Sequence, residues 1–257
     1  MSRIGELFGR KKQNVLNIYF TAGFPELDNT LLIMKAIQDA GADMIELGMP
    51  YSDPLADGPV IQSSSVRALA NGMTIHKLFE QLENFRKEIQ IPVLLMGYMN
   101  PILQYGFENF CRDAKRVGVD GLILPDLPVI EFEKEFGVLI KQYELDFIFL
   151  VTPETSETRI RQLDQQSSGF LYAVSSSSTT GKNAALGDQE YHFKKLQSMG
   201  LKNPVLIGFG IRDKTSFSKA CSFAKGAIIG TAFIRVLENA SQKEIPVLTK
   251  DFINSLR

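Results

Sequence analysis

The amino-acid sequence predicts an α/β fold, a (β/α)₈ barrel of eight parallel strands. It forms one domain over 1–257, with an extra helix ahead of the first strand. Three observations lead there. Eight short runs rich in β-branched or aromatic residues recur along the chain. Most are near-continuously apolar, the pattern of strands covered on both faces. Segments of helical period alternate with them, and strand–helix alternation gives parallel strands with right-handed crossovers. A chain of 257 residues is ordinary for one barrel.

In chain order the predicted strands are Val15–Phe20, Met44–Leu47, Val93–Tyr98, Gly121–Leu127, Phe147–Val151, Phe170–Val174, Val205–Phe209 and Ala227–Gly230. Met1–Phe8 is predicted as a short helix over the bottom of the barrel. Apolar residues three and four apart predict helices over Leu31–Ile37, Ile75–Lys87, Phe107–Val117, Phe132–Tyr143, Thr158–Leu163, Tyr191–Met199 and Phe217–Phe223. A further helix is expected over Pro59–Leu69. Gly41, Gly118, Gly169, Gly200 and Gly226 close helical segments, where glycine takes the left-handed conformation without a Cβ penalty. The competing architecture is an open doubly wound sheet, which carries its glycine-rich fingerprint after the first strand. Thr21-Ala22-Gly23-Phe24-Pro25 is not that fingerprint.

Hydrophobic residues make up 44% and the net charge is −1, so no global field attracts nucleic acid or an acidic membrane, and an anionic ligand has to be held by local donors. Cys111 and Cys221 have no metal-like spacing and read as two buried thiols. No signal-peptide core follows Arg10-Lys11-Lys12, and no apolar run reaches membrane-spanning length, so a cytoplasmic protein is expected.

Barrel chemistry sits at the C-terminal ends of the strands. The second strand and its loop read Glu46-Leu47-Gly48-Met49-Pro50-Tyr51-Ser52-Asp53-Pro54-Leu55-Ala56-Asp57-Gly58-Pro59. Glu46 interrupts an apolar strand. Facing the interior, it would be desolvated, with a raised pKa suited to acid–base work. The alternative is a carboxylate paired in the core or capping a turn. Asp53 and Asp57 are ordinary turn residues when taken alone, but gain weight beside Glu46. Asp126 also stands at a strand end, either hydrogen-bonding neighbours or meeting a partner. Asn100, before Pro101, stops a strand or bonds across to the strand 2 loop. The sixth, seventh and eighth strands lead into Thr180-Gly181-Lys182, Gly208-Phe209-Gly210 and Gly230-Thr231-Ala232. Three such loops offer free backbone N–H groups to a phosphate, the recurrent anion site of this fold. Otherwise the glycines merely permit tight turns. None of the eight runs contains a lysine for a Schiff base. His76 and His192 fall on helical segments, where surface or packing roles are expected instead of metal ligation. The chemistry is left to carboxylates and a phosphate grip.

At these residues the sequence resembles the tryptophan synthase α-subunit family. Glu46-Leu47-Gly48 through Ser52-Asp53-Pro54-Leu55-Ala56-Asp57-Gly58-Pro59 is similar to its signature. Tyr19-Phe20-Thr21-Ala22-Gly23, Tyr98-Met99-Asn100-Pro101, Pro125-Asp126-Leu127-Pro128, Gly208-Phe209-Gly210 and Gly230-Thr231 follow in the family's order. The resemblance implies retro-aldol cleavage of indole-3-glycerol phosphate. It implies Glu46 as general acid/base and Asp57 as the group stabilising positive charge at the indole N–H. Tyr172 lines the site, and Gly181, Gly210, Gly230 and Thr231 cradle the phosphate. Thr180 belongs to the loop that closes over substrate and holds Asp57. Tyr19, Met96, Ile123 and Ile228 enclose the indole ring. No cofactor is implied for this chain. A pyridoxal-phosphate-dependent β subunit receives the indole in an α2β2 heterotetramer. Ser176, where many relatives carry Arg, and Phe170, in place of a common Tyr, depart from the pattern without touching Glu46 or Asp57. Two other readings remain: another phosphate-binding barrel, such as indole-3-glycerol phosphate synthase, which would need strand-end lysines, and a regulatory subunit with little activity of its own.

Overall fold

The computed structural model describes residues 2–174, 186–208 and 210–257. Among the described residues the strands are β1 (Val15–Thr21), β2 (Met44–Gly48), β3 (Val93–Met96), β4 (Gly121–Ile123), β5 (Asp146–Phe147), β6 (Leu150–Val151), β7 (Leu171–Val174), β8 (Val205–Gly208) and β9 (Gly226–Ile229). All pair in parallel, in the order β5-β4-β3-β2-β1-β9-β8-β7-β6. The predicted fifth strand is therefore broken in two. Its first half pairs with β4 and its second with β7. Between the halves, the Ile148 N–H donates to the Leu122 carbonyl (3.0 Å), and the Phe149 carbonyl accepts from the Tyr172 N–H (3.0 Å). The run bridges both neighbours and closes the ring as the barrel prediction requires.

Strand length is where hydrophobic patterning overshoots. Val93–Tyr98 ends as a strand at Met96, and Gly121–Leu127 ends at Ile123. Met99 to Tyr105 is helical despite Pro101, because a proline in the first turn sacrifices an N–H that has no partner there anyway. The Asp126 carboxylate accepts the Met99 N–H at 3.0 and 3.1 Å, which gives that residue a structural job at the helix start. Asn100 donates to the Tyr51 hydroxyl (3.2 Å), the reach across to the strand 2 loop allowed by the sequence. Gly41, Gly118, Gly169 and Gly200 adopt positive φ as expected. Gly226 does not: it opens β9, and a Cβ there would run into Val15 of β1.

The first helix, Arg3–Arg10, covers the bottom of the barrel. It buries Ile4 and Leu7, is capped by Ser2, and stacks Phe8 near Phe170. Arg3 reaches Asp120, the residue just before β4. The helix Pro59–Ala70 forms where proline at the first turn and the apolar spacing place it. A helix beyond those expected from the sequence, Ile245–Ser255, packs beside Thr30–Asp39. Cys111 and Cys221 are free and buried. His76 stacks on Tyr105, and His192 is buried within the helix Leu186–Ser198. No helix among the described residues is long and apolar enough to cross a membrane.

Candidate active site

Parallel strands put all their C-terminal ends on one face, and side chains two apart on a strand share a side. Tyr19 of β1, Glu46 of β2, Met96 of β3, Tyr172 of β7 and Ile228 of β9 therefore converge on one cavity of about 250 Å³. Asp57 and Ile61 enter it from the segment after β2. Gly210 enters after β8, and Gly230 and Thr231 after β9. These expected site residues thus line one cavity. Ile123 is fully buried on β4 and is not among the lining residues. Thr180 and Gly181 lie outside the described residues.

Glu46 points inward and is 1% exposed. One carboxyl oxygen, Oε2, accepts from the Asn17 amide at 3.0 Å, and the other, Oε1, has no partner among the described residues. Burial raises its pKa to about 8. The Asn17 hydrogen bond opposes that rise, and the charge of Asp57 adds to it. At neutral pH this carboxyl holds its proton, so it can act first as an acid. Asn17 is a site residue that sequence reasoning misses, although it interrupts the apolar run of β1 just as Glu46 interrupts β2.

Asp57 sits half-buried on the loop that leads into Pro59–Ala70. The Tyr98 hydroxyl accepts the Ala56 N–H (3.1 Å) and donates to Asp57 Oδ2 (3.0 Å), so it pins both the loop and the carboxylate. Tyr51 packs against the Tyr98 ring, centroids 5.3 Å apart. Burial lifts the Asp57 pKa to about 6, with the Tyr98 hydrogen bond opposing. Tyr98 is a second contributor to which the sequence assigns no role. It stands there at the end of the third predicted strand and in the family-like run Tyr98-Met99-Asn100-Pro101.

Two glycines shape the cavity floor by their size. A Cβ on Gly48 would come within 2.7 Å of Tyr19 Cζ, and one on Gly208 within 2.5 Å of Tyr172 Cζ. The rings lie over neighbouring strands only because those positions lack side chains. Burial and the two nearby carboxylates hold both phenols well above their usual pKa, so they stay protonated.

Gly210 has φ 75°, a left-handed conformation that suits glycine. Gly230 precedes the helix Thr231–Leu237 and lies against the Tyr19 ring. Arg212 and Arg235 also line the cavity, and neither is marked in the sequence. Two carboxyls, two phenols, glycine backbone and two arginines thus border one cavity.

Fold and site together define a (β/α)₈-barrel whose strand-end cavity is lined by two carboxyl groups and, among the described residues, no lysine. Comparison with known proteins makes the assignment specific. The family model described as tryptophan synthase alpha chain matches residues 7–255. The tryptophan synthase alpha chain of Bacteroides thetaiotaomicron is 47% identical over 249 residues, covering 96% of this chain and 97% of that one. The Flavobacterium johnsoniae alpha chain is 46% identical over 258 residues, with full coverage of both. Among solved structures, the Legionella pneumophila tryptophan synthase subunit alpha superposes with a TM-score of 0.90 at 33% identity, covering 100% of this chain and 97% of that one. An aminoacrylate-bound tryptophan synthase from Mycobacterium tuberculosis superposes with a TM-score of 0.86 at 28% identity and full coverage of both. This chain belongs to the tryptophan synthase alpha chain family, lyases whose reaction is the cleavage of indole-3-glycerol phosphate.

Proposed function

We propose that the whole chain acts as one catalytic domain that splits indole-3-glycerol phosphate into indole and glyceraldehyde 3-phosphate in this cavity. The observation that carries the residue assignment is the Glu46 carboxyl. It is fully buried in the cavity wall, with one oxygen held by Asn17 and the other unpartnered among the described residues, and glycine loops line the same cavity.

Protonated Glu46 delivers its proton to C3 of the indole ring, and the resulting ring C=N–H⁺ is the electron sink. Asp57, ionised, stabilises the positive charge on that nitrogen. The Glu46 carboxylate then takes the proton of the hydroxyl next to the ring. The carbon–carbon pair flows into the ring as the aldehyde forms, and Glu46 ends protonated as it began. No imine to lysine is needed. Gly210, Gly230 and Thr231 bind the phosphate through backbone and hydroxyl donors, with Arg212 and Arg235 adding positive charge. Thr180 and Gly181 complete that reading from the sequence. Tyr19, Tyr172, Met96 and Ile228 pack the indole. Binding the phosphate far from the reacting bond supplies orientation.

The chain works without a cofactor of its own, in the cytoplasm. Its indole passes to a pyridoxal-phosphate-dependent β subunit in an α2β2 assembly. Family membership supports the partner.

Substitution tests the roles. Glu46→Gln is expected to lower kcat by at least about a hundredfold, the usual range for losing a general acid–base group. Asp57→Asn is expected to slow turnover while glycerol 3-phosphate binding, measured by calorimetry, stays within about twofold, because no phosphate contact is lost. Indole formation undiminished in Glu46→Gln would remove the assignment.

A further inference from the structure

Glu46 is asked to be an acid in one step and a base in the next, and a buried group with two such states needs a partner that suits both. Asn17 is the side chain that touches it. Both residues are essentially inaccessible to solvent, and Asn17 stands on β1 one alternation below Tyr19, the strand partner of Glu46. Its Nδ2 donates to Glu46 Oε2 at 3.0 Å, and its own Oδ1 is buried without a partner among the described residues. A carboxamide N–H donates to a carboxylate oxygen and to the carbonyl oxygen of a carboxylic acid alike. Nδ2 serves the carboxylate. With the proton on Oε1, Oε2 is the carbonyl oxygen of the acid and still accepts from Nδ2. Aspartate or leucine in that place has no such donor.

We propose that Asn17 is the positioning residue for Glu46. It holds the carboxyl so that Oε1 faces the substrate and carries the proton, and its Nδ2 donates to Oε2 in both protonation states. The proposal rests on the reading of Glu46 as the acid–base group. It also gives a reason for a polar pair whose burial would otherwise only cost stability. The titratable and charged groups around Glu46 are Tyr19 on β1, Tyr172 on β7 and Asp57 on the loop after β2. Arg212 and Arg235 line the same cavity.

A hydrogen bond to the ionised form is stronger than one to the neutral form. Removing Asn17 therefore favours protonated Glu46 and moves the alkaline limb of the rate profile upward. The test compares wild type, Glu46→Gln, Asn17→Leu and the isosteric Asn17→Asp for kcat, KM and pH dependence of indole formation. Titration of the Glu46 carboxyl by carbon-13 NMR in the ligand-free protein is read alongside. Asn17→Leu is expected to lose about tenfold in kcat, with KM within about twofold, and to show the limb and the NMR titration shifted to higher pH. Asn17→Asp sets a second carboxyl beside Glu46 and is expected to raise both further. Folded variants whose limb and titration stay at the wild-type position would overturn the proposal, whether or not kcat falls, because a merely structural asparagine leaves them unmoved. If Glu46→Gln still cleaves substrate, the acid–base reading itself fails, and the proposal falls with it.

Discussion

Glu46 and Asp57 share a cavity but not an environment. Glu46 is sealed between strands, while Asp57 is half-buried on a loop and held by a phenol, so their pKa values are pushed to about 8 and about 6. The proposed chemistry needs the first protonated and the second ionised. The profile of kcat/KM against pH is therefore expected to be a bell, falling on the acid side as Asp57 protonates and on the alkaline side as Glu46 ionises. The Asp57 charge is one cause of the Glu46 rise, so Asp57→Asn is expected to move the alkaline limb downward. An unmoved limb in that variant would mean the two groups do not sense each other. Glu46 is legible in the sequence because an acid in an apolar strand has few bland explanations. Asn17 makes the same kind of mark on β1, but an uncharged amide breaks an apolar run less conspicuously. Arg212 and Arg235 carry no mark, because arginines in loops and short helices are normally solvated, and only the strand ends bring them to the cavity.

At the level of elements, the two faces of the barrel divide the work. At the bottom, Asp120 is nearly inaccessible and accepts from Arg3 (2.9 Å), from Arg86 and from the Val93 N–H (2.7 Å). It ties the first helix, the turn before β3 and the start of β4 together. Burial lowers the Arg86 pKa to about 10 against the pull of Asp120, so the cation depends on that carboxylate. Asp120→Ala leaves a mostly buried guanidinium without its carboxylate, held by the Gly118, Ile89 and Ile91 carbonyls, and a strand N–H unpaired. It is expected to cost about 2–4 kcal/mol in denaturant unfolding with little change in KM. A loss confined to KM would place Asp120 in the chemistry and contradict this division. Strand positions and most of the alternating helices can be read from hydrophobic period. Strand ends cannot, since Leu124 and Leu127 are buried like strand residues but sit in the turn that feeds the next helix. The helix Met99–Tyr105 is hidden by Pro101, whose usual meaning is a stop.

Across the whole molecule, a net charge of −1 gives no long-range attraction for a phosphate ester, so the proposed reading leaves recognition to the glycine loops and arginines at the cavity. Fold class and the two candidate carboxyls are legible in the sequence because both are periodic or out-of-place signals along one chain. The mixed lining of the cavity is not, because it arises from residues far apart in sequence that meet only when the ring closes.

The most direct measurement is indole release from indole-3-glycerol phosphate by the purified chain, alone and with a tryptophan synthase β subunit, with glyceraldehyde 3-phosphate quantified in parallel. Equal amounts of the two products, formed slowly alone and much faster with the β subunit, are the expected result. No indole under either condition would contradict the assignment of this cavity.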